Sequence, residues 1–347
     1  MKRTARCFSL FVLAAMAFLV SSFSTPGIGE AATKVRVAMS WVLAGDSVPE
    51  FVALEKGFFA AEGITTTIQR GHGAVDTLKR VAAGDLDLGS SVLVSVALGR
   101  ASGTKAKIIK ISMHTSPYGL AYMKGIGINK PKDLEGKKVA IPIYSSVLQF
   151  WPAFAKVNGI DRSTVEMINL KGSLLGTSLA SGMVHAVDSW MTSFPPKAAA
   201  AKKMGKEAGF FLWSDYGLSD MYGAAFVARE DTIANKPEML QKFLNANIRG
   251  MVYAHQHPKE SVEIFLKHNA AASRSLTAQQ WKAMKHLSTD ENFKKEGFGY
   301  VNAGKMERAM KLIRTYVGLK NPVATKDTYT NQFIERVPKK YRFPKLP

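Results

Sequence analysis

From Lys34 the chain alternates short β-branched runs with stretches of helical spacing. "KVRVAM" (34–39) has the period of two expected of a strand. After the loop "SWVLAGDSV", Phe51, Leu54, Phe58 and Phe59 recur at helical intervals, which predicts a helix over 49–61. "GITTTIQR" predicts a second strand, "AVDTLKRVAAG" a helix ended by Gly84, and "DLDLG" a third strand. "SVLVSVALGRASG" (91–103) predicts a helix and "KAKIIKISMH" (105–114) a fourth strand. Strands alternating with helices of about ten residues imply βαβ units and a parallel sheet.

A second series follows. "KPKDLEGKKVAIPI" contains a helical turn and a strand, and "SVLQFWPAFAKVNGI" a helix that Pro152 is expected to break. "STVEMINL" reads as a strand, "LLGTSLASGM" as a helix, "VHAVDSW" as a strand and "PPKAAAAKKMGKEAG" as a helix. "MYGAAFVARE" adds a further strand, and from Lys236 to Val317 the pattern turns mainly helical. The whole predicts an α/β protein of two lobes with a helical C-terminal region packed on one of them. The last thirty residues, from Gly318, are polar and proline-bearing; they either wrap the surface or are mobile.

The N-terminus breaks this pattern. Lys2, Arg3 and Arg6 precede the apolar run "SLFVLAAMAFLV", too short for a comfortable membrane span, and Gly29-Glu30-Ala31 fits a cleavage site. Residues 1–31 therefore read as a secretory signal peptide, and the remainder as a soluble exported protein. The single cysteine, Cys7, lies inside that peptide, so the exported chain has no disulfide, thiolate or cysteine metal chemistry. Formal charge is +20, and residues 32–347 keep +18 once three basic residues and Glu30 are removed. The lysines are dispersed and no nucleic-acid motif appears, so a solvated basic surface is the preferred reading over nucleic-acid binding.

Five segments resemble, in order, the periplasmic solute-binding proteins of ABC importers, in the nitrate/sulfonate/bicarbonate and thiamine-precursor binding family. They are "FVALEKGFFAAEGI", "RGHGAVDTLKRVAAGDLDLGSS", "SPYGLAYMKGIGINKPKDLEGKKVAIP", "PAFAKVNGID" and "LASGMVHAV". The resemblance implies a two-lobed periplasmic binding protein fold with two hinge crossovers, near 117–124 and 219–226. Domain I would be discontinuous, 33–118 and 222–347, and domain II would span 119–221. It further implies a monomer that closes on a small solute and engages an ABC permease in the inner membrane, with no cofactor. Two departures stand out. His185 replaces an aspartate of the family's Gly-x-Val-Asp-Ala element, and Trp41-Val42-Leu43-Ala44 stands where the thiamine-precursor branch often has Trp-x-Pro-Asn.

Ligands of open α/β sheets bind beyond the carboxyl ends of strands, where helix N-termini offer free N–H groups. Four loops fit. In the first, Trp41 either stacks on a ligand or fills the core, and Asp46 either reads a ligand or, like Ser47, caps a helix. In the second, Gly73 permits close backbone approach and His72 is either a donor or merely exposed. The third and fourth carry serine pairs before apolar helices, Ser90-Ser91 and Tyr144-Ser145-Ser146, which look like matched sites in opposite lobes. One serine of each pair is expected to cap its helix while its neighbour faces the cleft. Asp188 and Trp190 alternate on a strand and should face one side; the acid lines the cleft or forms an internal salt bridge. Tyr222 lies near the second proposed hinge.

Three functions compete. An importer subunit leads, for a small organic solute with an aromatic or apolar body and a polar head, such as a sulfonate or a heteroaromatic vitamin precursor. A sensor presenting solute to a membrane receptor uses the same cleft. An enzyme of the related pyrimidine-synthesising branch is disfavoured, because that branch has a cysteine-rich site and the exported chain has no cysteine.

Overall fold

The computed structural model describes residues 31–347. The signal peptide expected over 1–31 falls, but for Ala31, outside the described residues. Two five-stranded mixed sheets organise residues 33–347.

The first sheet has the order β2-β1-β3-β10-β4. Its strands are β1 (Thr33–Ala38), β2 (Ile64–Gln69), β3 (Leu88–Val92), β4 (Ala106–Ile111) and β10 (Ala224–Arg229). The second has the order β7-β6-β8-β5-β9. It is built from β5 (Tyr118–Met123), β6 (Lys138–Ala140), β7 (Glu166–Ile168), β8 (Ala186–Trp190) and β9 (Ala208–Leu212). In the first, β2 and β3 run parallel to β1, while β10 is antiparallel to β3 and β4. In the second, β7 and β8 run parallel to β6, while β5 is antiparallel to β8 and β9. The sheets therefore share one topology, and the antiparallel strand of each is delivered by a crossover from the other. The passages fall at residues 112–117 and 213–223.

The connecting helices are α1 (Val48–Glu55), α2 (Phe58–Ala61), α3 (Ala74–Ala83) and α4 (Leu93–Ala101) in the first lobe. The second lobe has α5 (Ser146–Val157), α6 (Leu175–Ser181) and α7 (Phe194–Lys203). After β10 come α8 (Glu230–Asn235), α9 (Pro237–Gln256), α10 (Pro258–His268), α11 (Arg274–Ser288), α12 (Glu291–Glu296), α13 (Ala303–Leu312) and α14 (Lys339–Arg342). Phe243, Leu244, Met251 and Phe265 from α9 and α10 pack with Val37, Leu88 and Phe226 of the first sheet in one apolar cluster. The C-terminal stretch wraps the surface: Thr330 N–H donates to Ile108 O at 2.8 Å, and Tyr329 bridges to β4.

Several expectations need correction. The helix predicted over 49–61 is two, because Gly57 adopts φ 67° and ends the first run. Pro152 does not break α5; Phe150, Trp151, Ala153 and Phe154 are all buried and hold the helix through the proline. The third strand starts at Leu88, later than "DLDLG" implied, and runs through both serines. Asp87 is diverted into a bidentate pair with Arg36 (3.0 and 3.1 Å) and also accepts the Arg36 backbone N–H. Residues 88–92 pair with 224–228, a partner more than 130 positions away that local propensity does not reveal. Neither Ser90 nor Ser91 therefore caps α4, whose N-cap is Val92.

Candidate ligand-binding cleft

The parallel strands of both sheets end at one cavity between the lobes. About 660 Å³ of space lies between its walls, part of it open to solvent. The turn after β1 supplies Ser40, Trp41 and Asp46, and the start of α3 supplies Gly73 and Ala74. From the second lobe, the turn after β6 supplies Tyr144, Ser145 and Ser146. Asp188 and Trp190 of β8 follow, with Thr192 and Ser193 beyond them and Lys197 in α7. The alternation along β8 puts Asp188 and Trp190 on the same wall.

The lobes meet at close range. Trp41 and Tyr144 face each other with ring centroids 5.5 Å apart and planes inclined by 32°. Glycines make the approach possible. A Cβ on Gly172 would lie 2.7 Å from the Trp41 ring, and one on Gly73, at φ 130°, would lie 3.1 Å from Tyr144 O. The Tyr144 hydroxyl accepts the Gly172 N–H at 3.1 Å, which fixes its ring. Thr192 Oγ1 donates to Asp46 Oδ2 at 3.2 Å, linking the lobes directly.

Three titratable side chains share this space. Burial pushes the Asp46 carboxyl up to about 6, against the bonds from Thr192 and Ser47. Burial also raises Asp188 above the usual carboxylate range, opposed by the Ser145 hydroxyl and the charge of Lys197. Its Oδ1 is buried without a hydrogen-bond partner. Burial lowers Lys197 to about 8, with Asp188 pulling the other way. Lys197 Nζ donates to Ser193 O at 3.0 Å and Ser193 Oγ at 3.2 Å. Among the described residues no cluster of three His, Cys, Asp or Glu side chains forms a metal site.

Eight of the twelve residues singled out from the sequence line this cavity: Trp41, Asp46, Gly73, Tyr144, Ser145, Ser146, Asp188 and Trp190. Four do not. His72 is exposed on the loop before α3. Ser91 is fully buried and donates to Ala74 O at 2.9 Å. Ser90 lines a smaller chamber that Trp41 also borders. Tyr222 is buried beside α13, where its hydroxyl accepts the Asn302 N–H at 3.0 Å. Ser145 is the N-cap of α5, accepting the Val147 N–H at 3.1 Å, and it lines the cavity as well. The sequence reading missed Lys197, Thr192 and Ser193. Their signal was position: all three follow the carboxyl end of β8, where the strand-end rule already pointed.

Two α/β lobes of matching topology, with a polar and aromatic cavity where their parallel strands end, define the fold of the solute-binding proteins of ABC import systems. The family model described as "NMT1/THI5 like" matches residues 45–261, more than half of the chain, and the chain belongs to that family. It is similar to the formylaminopyrimidine-binding protein of Halalkalibacterium halodurans, at 23% identity over 92% of this chain and 97% of that one. It is also similar to the riboflavin-binding protein RibY of Chloroflexus aurantiacus, at 22% identity over 87% of this chain and 86% of that one. A protein named 4-amino-5-hydroxymethyl-2-methylpyrimidine phosphate synthase, from Uromyces fabae, matches at 33% identity but over only 30% of this chain and 31% of its own. Among solved structures, the periplasmic nitrate-binding protein NrtA of Synechocystis superposes with a TM-score of 0.67 at 12% identity, covering 90% of this chain and 91% of that one.

Proposed function

We propose that this chain is the exported, monomeric binding component of an ABC importer. It closes its lobes on a small flat organic solute bearing N–H donors and presents it to an inner-membrane permease. One observation carries the choice of solute: Asp188 places a buried, unpartnered carboxylate oxygen in a cavity walled by Trp41, Tyr144 and Trp190. A buried acceptor without a donor costs about 1–3 kcal/mol, and a solute N–H removes that cost. The aromatic walls favour a planar body. Two carboxylates against one lysine disfavour a bare oxyanion, so nitrate and simple sulfonates fit less well than an amino-substituted heteroaromatic ring. The similarity to a formylaminopyrimidine-binding protein supports the same class. The division into domain I (33–118 and 222–347) and domain II (119–221) is part of this reading, with the crossovers as hinges.

A thermal-shift screen of the exported protein tests it. Aminopyrimidines, riboflavin, alkanesulfonates and nitrate are compared at equal concentration. An aminopyrimidine is expected to raise the Tm and the anions to leave it unchanged. A shift with a sulfonate or nitrate, and none with the ring compounds, would sink the proposed solute class.

A further inference from the structure

Adjoining the main cavity, and sharing the Trp41 and Trp190 side chains with it, is a second, smaller chamber. Counted with the solvent-open space at its mouth it comes to about 390 Å³, against about 660 Å³ for the main cavity on the same basis, and it shares Ser40, Trp41, Asp46 and Trp190 with that cavity. Its lining includes three methionines, Met39, Met113 and Met284, whose flexible thioethers adapt to irregular shapes. Glu50 also lines it, in the first turn of α1 and 2% exposed.

The Glu50 carboxylate is held from behind. Asn247 Nδ2 donates to Glu50 Oε1 at 3.1 Å, and Lys110 Nζ donates to Asn247 Oδ1. Both ends of the Asn247 amide are engaged, so its orientation is pinned and it cannot turn to serve the second carboxylate oxygen. Glu50 Oε2 is buried with no partner. The side chains lining the chamber include two acids, Asp46 and Glu50, and no base. A buried acceptor pinned on one side and free on the other is built for a donor that arrives through the cleft.

We propose that this chamber is a subsite of the same cleft, and that it takes a short amine-bearing arm of the solute with Glu50 Oε2 as its acceptor. The assignment rests on the reading of the main cavity as the site of a flat, N–H-donating solute. The ring lies between the lobes, and the arm enters the chamber past the side chains that the two spaces share.

Two probes separate the two ideas: an aminopyrimidine carrying an aminomethyl arm, and the same ring carrying a methyl group in its place. Calorimetric titration of the exported protein is expected to show the aminomethyl probe binding about tenfold to a hundredfold more tightly, the range for a hydrogen bond to a charged group. In Glu50→Gln the ratio between the probes falls toward one. Ser112→Leu fills the chamber from another lining position while leaving Glu50, Asn247 and Lys110 unsubstituted, and collapses the ratio too; it decides the matter if Glu50→Gln fails to fold. Trp41→Ala weakens both probes by similar factors. Wild-type affinities that are equal for the two probes, or a ratio that survives both chamber variants, overturn the subsite while the cleft reading stands. Binding of neither probe overturns the cleft reading and the subsite with it.

Discussion

The two lobes are one topology with different chemistry at matched positions. Val37 and Ala38 of β1 pair with Leu88 and Gly89 of β3; Val139 and Ala140 of β6 pair with Ala186 and Val187 of β8. Counting on from these ladders, Ser90 and Asp188 hold the same third place in their strands. So do Ser91 and Ser189, and Val92 and Trp190. Where the second lobe sets an acid and an indole at the main cavity, the first sets a serine at the smaller chamber and a buried valine. The turns after β1 and β6 are matched in the same way: one delivers Trp41 and Asp46, the other Tyr144, Ser145 and Ser146. The serine pairs that look like twins in the sequence are thus not counterparts. Ser145-Ser146 corresponds to the Trp41–Ser47 turn, and Ser90-Ser91 to Asp188-Ser189. The asymmetry of the β8 strand is what turns a shared architecture into a one-sided recognition surface.

The largest effect is expected where that asymmetry is erased. Asp188→Ser gives the second lobe the residue of the first. For a solute that raises the Tm in the screen, affinity measured by titration should fall about a hundredfold, the upper range for a hydrogen bond to a charged group. The mirror position behaves differently: Ser90→Ala should change affinity for a ring without an arm by less than about fivefold. Equal losses at both positions would mean that the lobes contribute symmetrically.

A smaller effect separates the two acids. Asp46 sits in the first lobe and holds its proton up to about 6 in the folded state, well above a free aspartate. The folded chain then binds a proton more tightly than the unfolded chain, so this stability contribution is present at low pH and lost as pH rises from about 4 to about 6. Asp46→Asn keeps an acceptor for Thr192 and removes the loss. Above pH 6 the variant should exceed the wild type by about 1–2 kcal/mol, discounted because solvent reaches the site, and the two should converge near pH 4. Thermal melts of both proteins across that range check it, and a pH-independent difference would contradict a raised Asp46.

Much of this arrangement was legible in the chain. The alternation of "KVRVAM" and "GITTTIQR" marks adjacent parallel strands, the strand-end rule leads from there to Trp41, Gly73 and Tyr144, and the alternation of "VDSW" leads to Asp188 and Trp190. What was not legible depends on distant partners. β3 is extended through its serines because β10 pairs with it from residues 224–228. Pro152 stays helical because tertiary burial of α5 outweighs its local cost. Lys197 looks like a surface lysine in "PPKAAAAKK"; only the packing of α7 on the second sheet brings it to the cavity that Asp188 also lines, close enough to feel its charge.

The smallest expected effect bears most directly on the serine pairs. Ser91 Oγ donates to Ala74 O inside the first lobe, tying β3 to the start of α3, and is fully buried. Ser145 Oγ accepts the Val147 N–H and caps α5, and its side chain also borders the cavity. Removing either hydroxyl should cost about 1 kcal/mol of stability, one as a buried hydrogen bond and the other as a lost cap. Denaturant melts will therefore not distinguish Ser91→Ala from Ser145→Ala. Affinity will: Ser145 stands beside Asp188 and limits how a donor reaches it, so its loss should weaken binding about threefold to tenfold, while Ser91→Ala should leave binding within about twofold of wild type. Were Ser91→Ala to weaken binding as much as Ser145→Ala, β3 would have to present its second serine to the solute, which its pairing with β10 and the Ser91–Ala74 hydrogen bond do not allow.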